Sequence, residues 1–355
     1  MAQSLGEATM SAIRRRQFRL GFAVLSGACL AAAAAFAEPP RFVATPLGTF
    51  GGTYSWAAGI NRYGAVTGAA ADENESARAF VTVNWLMTRV GTALPSNTSY
   101  GQAVSDNGLV VGTRIDPPTD DIRAFLDDGR VVIDIGTLGG FFSIGTGVND
   151  QGMVVGNSRT ALDPHTRGFL YHNGTMRALG TLGGDYSTAN GINSAGQVAG
   201  TAGVPVGPGN EEGHGHAYRY TNGTMVDLGT LGGSWSMGIA INERGDVAGY
   251  SKTASGPSAP VPPGSPTEHA CVWRGEGIVD LGTLGGAYSR GLAINAAGNV
   301  VGESQDNYGR QRAFLYTGGR MYDLNDLTVT WPEGVIPPLT EARGINDAGQ
   351  IAASW

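Results

Sequence analysis

The chain repeats itself, and that fact constrains its fold more than any single residue does. A phrase made of a hydrophobic residue, Gly-Thr, a double glycine, an aromatic and a hydroxyl reads LGTFGGTYS from Leu47 and IGTLGGFFS from Ile135. It reads LGTLGGDYS from Leu179, LGTLGGSWS from Leu228 and LGTLGGAYS from Leu281. A degraded copy, VGTALPSNTSYG, begins at Val90. Each repeat of this kind is one supersecondary unit that buries its apolar face only against its neighbours.

A second recurring step, the Asn of Ile-Asn or its equivalent, gives the spacing. It stands at Asn61, Ser105, Asn149, Asn193, Asn242, Asn295 and Asn346, with separations of 44, 44, 44, 49, 53 and 51 residues. A unit of 44 with loop insertions has the length of a four-stranded propeller blade. The third copy shows the plan: strands at 143–148, 153–156, 168–171 and 175–179, with Asn149-Asp150-Gln151-Gly152 and Asn173-Gly174 as hairpin turns. The first strand of every copy carries small residues, such as Ala57 and Gly59, Gly238 and Ala240, or Gly291 and Ala293. Strands that converge on a common axis need that economy of volume. The pattern predicts an all-β, seven-bladed propeller over 38–355, its last blade incomplete and closed by the N-terminal strand Arg41–Leu47 pairing into it. A β-solenoid is the rival, but paired hairpin signals favour antiparallel meanders. The 57 glycines, without a collagen period, suit so many tight turns.

The first residues read as a targeting segment. Arg14, Arg15, Arg16 and Arg19 precede an uncharged apolar run, 21–35, and Ala35-Phe36-Ala37 is a small-x-small cleavage step. A signal peptide over 1–37, cleaved after Ala37, places the mature protein in the periplasm or outside the cell. Arg15-Arg16-Gln17-Phe18 leaves general secretion and twin-arginine export both open. Cleavage removes four arginines and Glu7, so the net charge of −7 becomes three units more negative. With Lys252 as its single lysine, such a chain has no phosphate-binding footprint, and nucleic acid is not an expected partner. Mature Cys271 has no second cysteine to pair with, and no further apolar span follows the leader. A monomer that needs no cofactor is expected.

The motif set as a whole resembles the HAF family of bacterial extracellular repeat proteins. The resemblance rests on a basic residue before Ala-Phe, on Asn-Gly, on Asp-Leu-Gly-Thr-Leu-Gly-Gly and on Gly-Ile-Asn-x-x-Gly-x-Val, and it covers about residues 41–355. The basic step stands at Arg78, Arg123, Arg167, His216, His269 and Arg312. The resemblance implies export and a propeller fold, and it carries over no catalytic residues. Family copies usually follow the last Gly-Ile-Asn unit with another Ala-Phe strand. Here the sequence given ends at Trp355, so a three-stranded closing blade and a truncated product are both open readings.

Length variation falls on the connections between strands two and three and between strands four and one. Those lie on one face of a propeller, where function usually sits on a rigid scaffold. The long insertions are Gly203–Gly215 and the proline-rich Ala254–Glu268. An aromatic recurs at the place after the double glycine in most copies: Tyr54, Tyr100 in the degraded copy, Phe142, Tyr186, Trp235 and Tyr288. These rings can stack on sugars or peptide side chains, or simply pack between blades. Tyr54, Tyr186, Trp235 and Tyr288 are the candidate binding residues. The basic step is expected to bond a hydroxyl or an Asp of its own blade, such as Ser187 or Asp227. Asp134, Asp227, Asp280 and Asp323 recur at one position and read as turn caps. Glu211-Glu212-Gly213-His214-Gly215-His216 is the densest group of metal-ligand types, but it has no second cluster to complete a site, so no metal is expected. Asp120-Asp121 and Asp127-Asp128 diverge on a strand and make poor acid–base pairs. No serine elbow, zinc-helix motif or phosphate loop is present. The favoured function is a non-enzymatic, exported binding protein for a protein or glycan partner. The alternatives are a propeller-type glycan lyase or hydrolase and a structural envelope or matrix protein.

Overall fold

The tight turn between strands one and two explains how the units join. In unit 1, Asn61 Oδ1 accepts from the N–H groups of Tyr63 (3.1 Å) and Ala65 (2.9 Å), closing an Asx turn. Its Nδ2 is then free to reach the next unit, where it donates to the Ser105 carbonyl at 2.9 Å. The same amide step runs from Asn149 to Asn193, Asn193 to Asn242, Asn242 to Asn295 and Asn295 to Asn346, at 3.0–3.1 Å. Asn346 Nδ2 donates back to the Asn61 carbonyl at 3.0 Å, which closes the ring. At the remaining joint Ser105 has no amide. Asn107, two residues on, supplies one and donates to the Asp150 carbonyl at 2.9 Å. A solenoid would hold Asn61 and Asn346 at opposite ends; here they are bonded.

The computed structural model describes residues 38–91, 98–116, 119, 121–161, 165–207, 214–254, 267–331 and 338–355. Residues 39–355 form one compact unit. The predicted signal segment and residues 208–213 and 255–266 of the two long insertions lie outside the described residues. Six four-stranded antiparallel units follow one another, the first four as separate sheets and the fifth and sixth joined into one eight-stranded sheet by a parallel Glu268–Tyr288 bridge, and the fold is a β-propeller. The first strands are Gly51–Ile60, Thr98–Val104, Gly139–Val148, Ser187–Ile192, Gly232–Ile241 and Gly285–Ile294. A seventh unit has two strands, Glu341–Ile345 and Ile351–Ser354. Successive first strands touch one another, Glu341–Ile345 touching those of both the sixth and first units, so they form the inner wall. The small residues fit there: a Cβ added to Gly145 would press on the neighbouring blade's Val111 side chain and Gly112 backbone, and one on Gly238 on the Gly200 backbone. Hydrophobic clusters lie between blades; one joins Val111 and Ala124 to Val148, Val154 and Phe169. Among the described residues, no helix is long and apolar enough to cross a membrane.

The signature phrase is structural. The double glycine is not loop: in four units it begins strand one, its first glycine at φ 106°, 97°, 91° and 102° for Gly51, Gly139, Gly232 and Gly285. The Thr hydroxyl staples that corner. Thr137 Oγ1 accepts from Gly139 N–H and donates to the Gly140 carbonyl, and Thr230 and Thr283 repeat the pattern. The terminal Ser joins blades. Ser143 Oγ accepts from Ala124 N–H of the preceding blade at 3.0 Å, and Ser236 and Ser289 accept from Ala217 and Ala270.

Closure differs from expectation in one respect. The N-terminal segment lies by the seventh unit, but Phe42–Val43 pairs in parallel with Thr328–Thr330, not with Ile351–Ser354. The reason is a short helix, Leu324–Leu327, after the sixth blade, whose Leu324 and Leu327 are buried and pack with Phe42, Ala342 and Ile345. This cluster borders a cavity of about 640 Å³ walled by residues including Phe42, Leu47, Leu324, Leu339, Ile345 and Ile351. Ring closure itself rests on the Asn346–Asn61 bond and on contact between first strands.

Candidate functional site

Two concavities lie at opposite faces of the ring. The first, of about 370 Å³, opens at the tight-turn face. Ile60, Val104, Val148, Ile192, Ile241, Ile294 and Ile345 line its throat, with the Asn ring at the turns and Asp106, Asp150, Glu243 and Asp347 around it. Carboxylates around a channel mouth suggest chemistry, but these have structural work. Asp106 accepts from Arg62 N–H at 2.9 Å, Asp150 from Asn107 N–H at 3.0 Å, Glu243 from Ser194 N–H at 3.2 Å and Asp347 from Ala296 N–H at 2.8 Å. Each caps the preceding unit's turn. Arg62 also bridges Asp106 at 2.7 Å and Asp150 at 3.5 Å.

The second concavity, of about 360 Å³, lies on the face of the variable loops, between units 4, 5 and 6. Tyr186 and Trp235 enter at the starts of the first strands of units 4 and 5. Tyr250 comes from strand two of unit 5, Glu268 from its strand three, and Arg290 from strand one of unit 6. Trp235 and Tyr250 meet edge to face, centroids 5.8 Å apart and planes at 90°. Arg290 lies 5.3 Å from both the Tyr250 and Tyr288 ring centres, a cation–π sandwich. Its Nε donates to Glu268 at 2.6 Å and its Nη1 to Glu303 at 3.1 Å. Burial works against the Arg290 charge, but Glu268 outweighs it and holds the guanidinium above its ordinary value. Burial also raises the Tyr186 and Tyr250 phenols above their ordinary value. Thr201 lines the same wall. Its hydroxyl is buried and, among the described residues, has no hydrogen-bond partner.

Of the four predicted binding residues, the structure brings Tyr186 and Trp235 into one pocket and sets Tyr288 beside it through Arg290. Tyr54, 43% exposed, stands apart in unit 1. Tyr100 is not the counterpart of Tyr54. It stacks on Trp56 at 6.0 Å, and Thr98 occupies the Tyr54 register, because unit 2 lacks the double glycine. Tyr250, Glu268 and Arg290 were missed. The sequence signal was their departure from the repeat: Tyr250 stands where the other units have Ala69, Thr113, Asn157, Thr201 and Glu303.

The other candidates resolve into structure. His216 and His269 bond Asp227 and Asp280 at 2.9 Å, the same-blade pairing expected of the basic step. Burial pushes both aspartates up, but the histidine and the Gly229 or Gly282 N–H outweigh it and hold the carboxyls below the ordinary range. Asp134, Asp227, Asp280 and Asp323 each accept a backbone N–H two residues on at 2.8 Å, as turn caps do. Asp127 and Asp128 likewise accept turn N–H groups, while Asp120 lies outside the described residues. Residues 211–213 of the Glu/His cluster are also outside them, and among the described residues no three metal-ligand side chains gather.

No family model and no curated protein sequence matches the chain. Among solved structures it is similar to the β-propeller domain of the Trilobed protease from Pyrococcus furiosus, described as having an open velcro topology. That match has a TM-score of 0.51 and 11% identity, over 77% of this chain and 83% of that one. A Pyrococcus horikoshii acylaminoacyl peptidase gives a TM-score of 0.49 and 13% identity, over 77% of this chain and 44% of that one. TolB from Acinetobacter baumannii gives 0.46 and 13%, over 73% and 63%. At such identities the first likeness speaks to the fold alone.

Proposed function

We infer that this is an exported repeat protein of HAF type that binds a partner at its loop face without chemistry of its own. The observation that carries the reading is the pocket in which Tyr186, Trp235 and Tyr250 converge beside the Glu268–Arg290 pair. Aromatic faces with a few fixed polar groups make a binding site, and a blade scaffold holds them in place. Hydrolysis of a glycosidic bond needs two carboxylates facing the scissile linkage. Glu268, the carboxylate among the described lining residues, instead pairs with Arg290, and Glu303 flanks the same guanidinium. The leader-like residues 1–37 and the acidic balance of the chain support export and argue against nucleic acid.

The test is a screen of immobilised glycans and envelope proteins with the wild type and with Trp235→Ala, Tyr250→Ala. Binding by the wild type that falls roughly a hundredfold in the folded double variant supports the site, since central aromatics dominate contact energies. Equal binding by both proteins places the partner elsewhere.

A further inference from the structure

We propose that the pocket between units 4, 5 and 6 is a subsite for a neutral pyranose ring. This rests on the loop-face binding reading and narrows it to one ligand chemistry. At about 360 Å³ the cavity sits near the lower end of the roughly 300–1,000 Å³ usual for ligand clefts, room for a sugar ring or two but not for a folded partner's surface. Trp235 and Tyr250, set at 90°, offer two apolar walls of different direction, and Tyr186 offers a third. A pyranose presents apolar C–H faces and an equatorial belt of hydroxyls. It needs stacking surfaces together with polar groups at the rim. Glu268 and Arg290, locked to each other at 2.6 Å, supply a planar acceptor and donor side by side, a spacing suited to vicinal hydroxyls.

The charge balance selects among sugars. Among the described lining residues Arg290 is the one arginine or lysine, with His214 on the same wall, and Glu268 and Glu303 both neutralise Arg290. An acidic sugar therefore finds the Arg290 charge already compensated, on a chain whose net charge is −7. The Thr201 hydroxyl is a second, independent sign of a missing polar partner. It is 3% exposed, and among the described residues nothing satisfies it. Buried hydroxyls without partners are uncommon in folded proteins, and a ligand hydroxyl is one way to complete such a group.

Saturation-transfer NMR and calorimetry on the full chain would test this with methyl β-glucopyranoside, methyl glucuronide, glucosamine and tetramethylammonium as probes. The neutral glycoside should bind, the glucuronide roughly tenfold more weakly or not at all. Trp235→Ala and Glu268→Gln should each weaken the neutral probe about tenfold or more, and Tyr54→Ala should leave it unchanged. Should Trp235→Ala fail to fold, Trp235→Phe with Glu268→Gln carries the same comparison. No binding of neutral methyl hexosides overturns the proposal, as does binding that survives both folded variants. Tetramethylammonium binding in place of sugar would make the pocket an aromatic cage for cations. A protein partner lost on Trp235→Ala, with no competition by monosaccharides, would keep loop-face binding and remove the sugar subsite.

Discussion

Replacing Asn149 by alanine should cost about 3 kcal/mol, and the figure can be built from its bonds. Asn149 is 5% exposed, and its Oδ1 accepts from Gln151 N–H and Met153 N–H, both at 3.1 Å. Its Nδ2 donates to the Asn193 carbonyl of the next unit at 3.0 Å. Three neutral hydrogen bonds at about 0.5–1.5 kcal/mol each set the scale. The Asn193 carbonyl keeps its own turn bond from Gly196 N–H, so the penalty for an orphaned acceptor is not added in full. Spread over a domain this large, the loss corresponds to a fall in melting temperature of about 4–5 °C. Asn149→Ser should fall between wild type and alanine. Ser105 shows why: its hydroxyl accepts from Leu109 N–H at 3.0 Å, so serine keeps part of the cap while losing the bridge. Gln151→Ala, at an exposed neighbour whose side chain forms none of these bonds, is the control. Chemical denaturation followed by tryptophan fluorescence would measure all three. If Asn149→Ala falls within about 0.5 kcal/mol of Gln151→Ala, the bonds between turns do not hold the ring and the reasoning fails.

Acid should weaken the outer parts of blades 4 and 5. The folded-state carboxyls of Asp227 and Asp280 lie below their ordinary range, so their contribution is full above the unfolded value, about pH 4, and is lost as pH falls through the folded one. Melting curves from pH 7 to pH 2 should therefore be flatter for Asp227→Asn, Asp280→Asn than for wild type; parallel curves would discount the pairs. Deleting residues 38–47 removes Phe42 from the Leu324–Leu327 cluster and opens the 640 Å³ cavity, so the melting temperature should drop. An equally stable deletion would mean that the segment is dispensable cover. Protein recovered from the medium or periplasm should begin at Glu38 by N-terminal sequencing, and an intact leader on such material would refute the cleavage site.

The repeat made the ring legible. A unit of 44 residues, small residues on strand one, and Asn or Asp at fixed turn positions each have a local cause that the sequence displays. The start of strand one was placed too late: the repeat plan begins it at residue 143, whereas the double glycine already opens the strand at Gly139, whose φ is 97°. The pairing of Phe42–Val43 with Thr328–Thr330 was not legible, since it depends on an insertion after blade six that belongs to no repeat. The pocket was half legible for a related reason. Tyr186 and Trp235 stand at a repeat position and drew attention by recurrence, whereas Tyr250 and Arg290 are conspicuous only as exceptions. Reading a repeat for what recurs finds the scaffold; its singular residues mark where one blade differs from the next.

The chain of amide links around the ring bears on how such a protein is inherited. Six of the seven joints consist of one Asn side chain and the backbone carbonyl of the next unit's marker, the same chemistry each time. A duplicated or lost unit would present its neighbours with joints they already know how to make. The gene could then change copy number without inventing a contact, and only the angle between blades would have to adjust. At the one joint where the marker is serine, Asn107 restores the amide two residues away, which is how a drifting copy keeps its place in the circle.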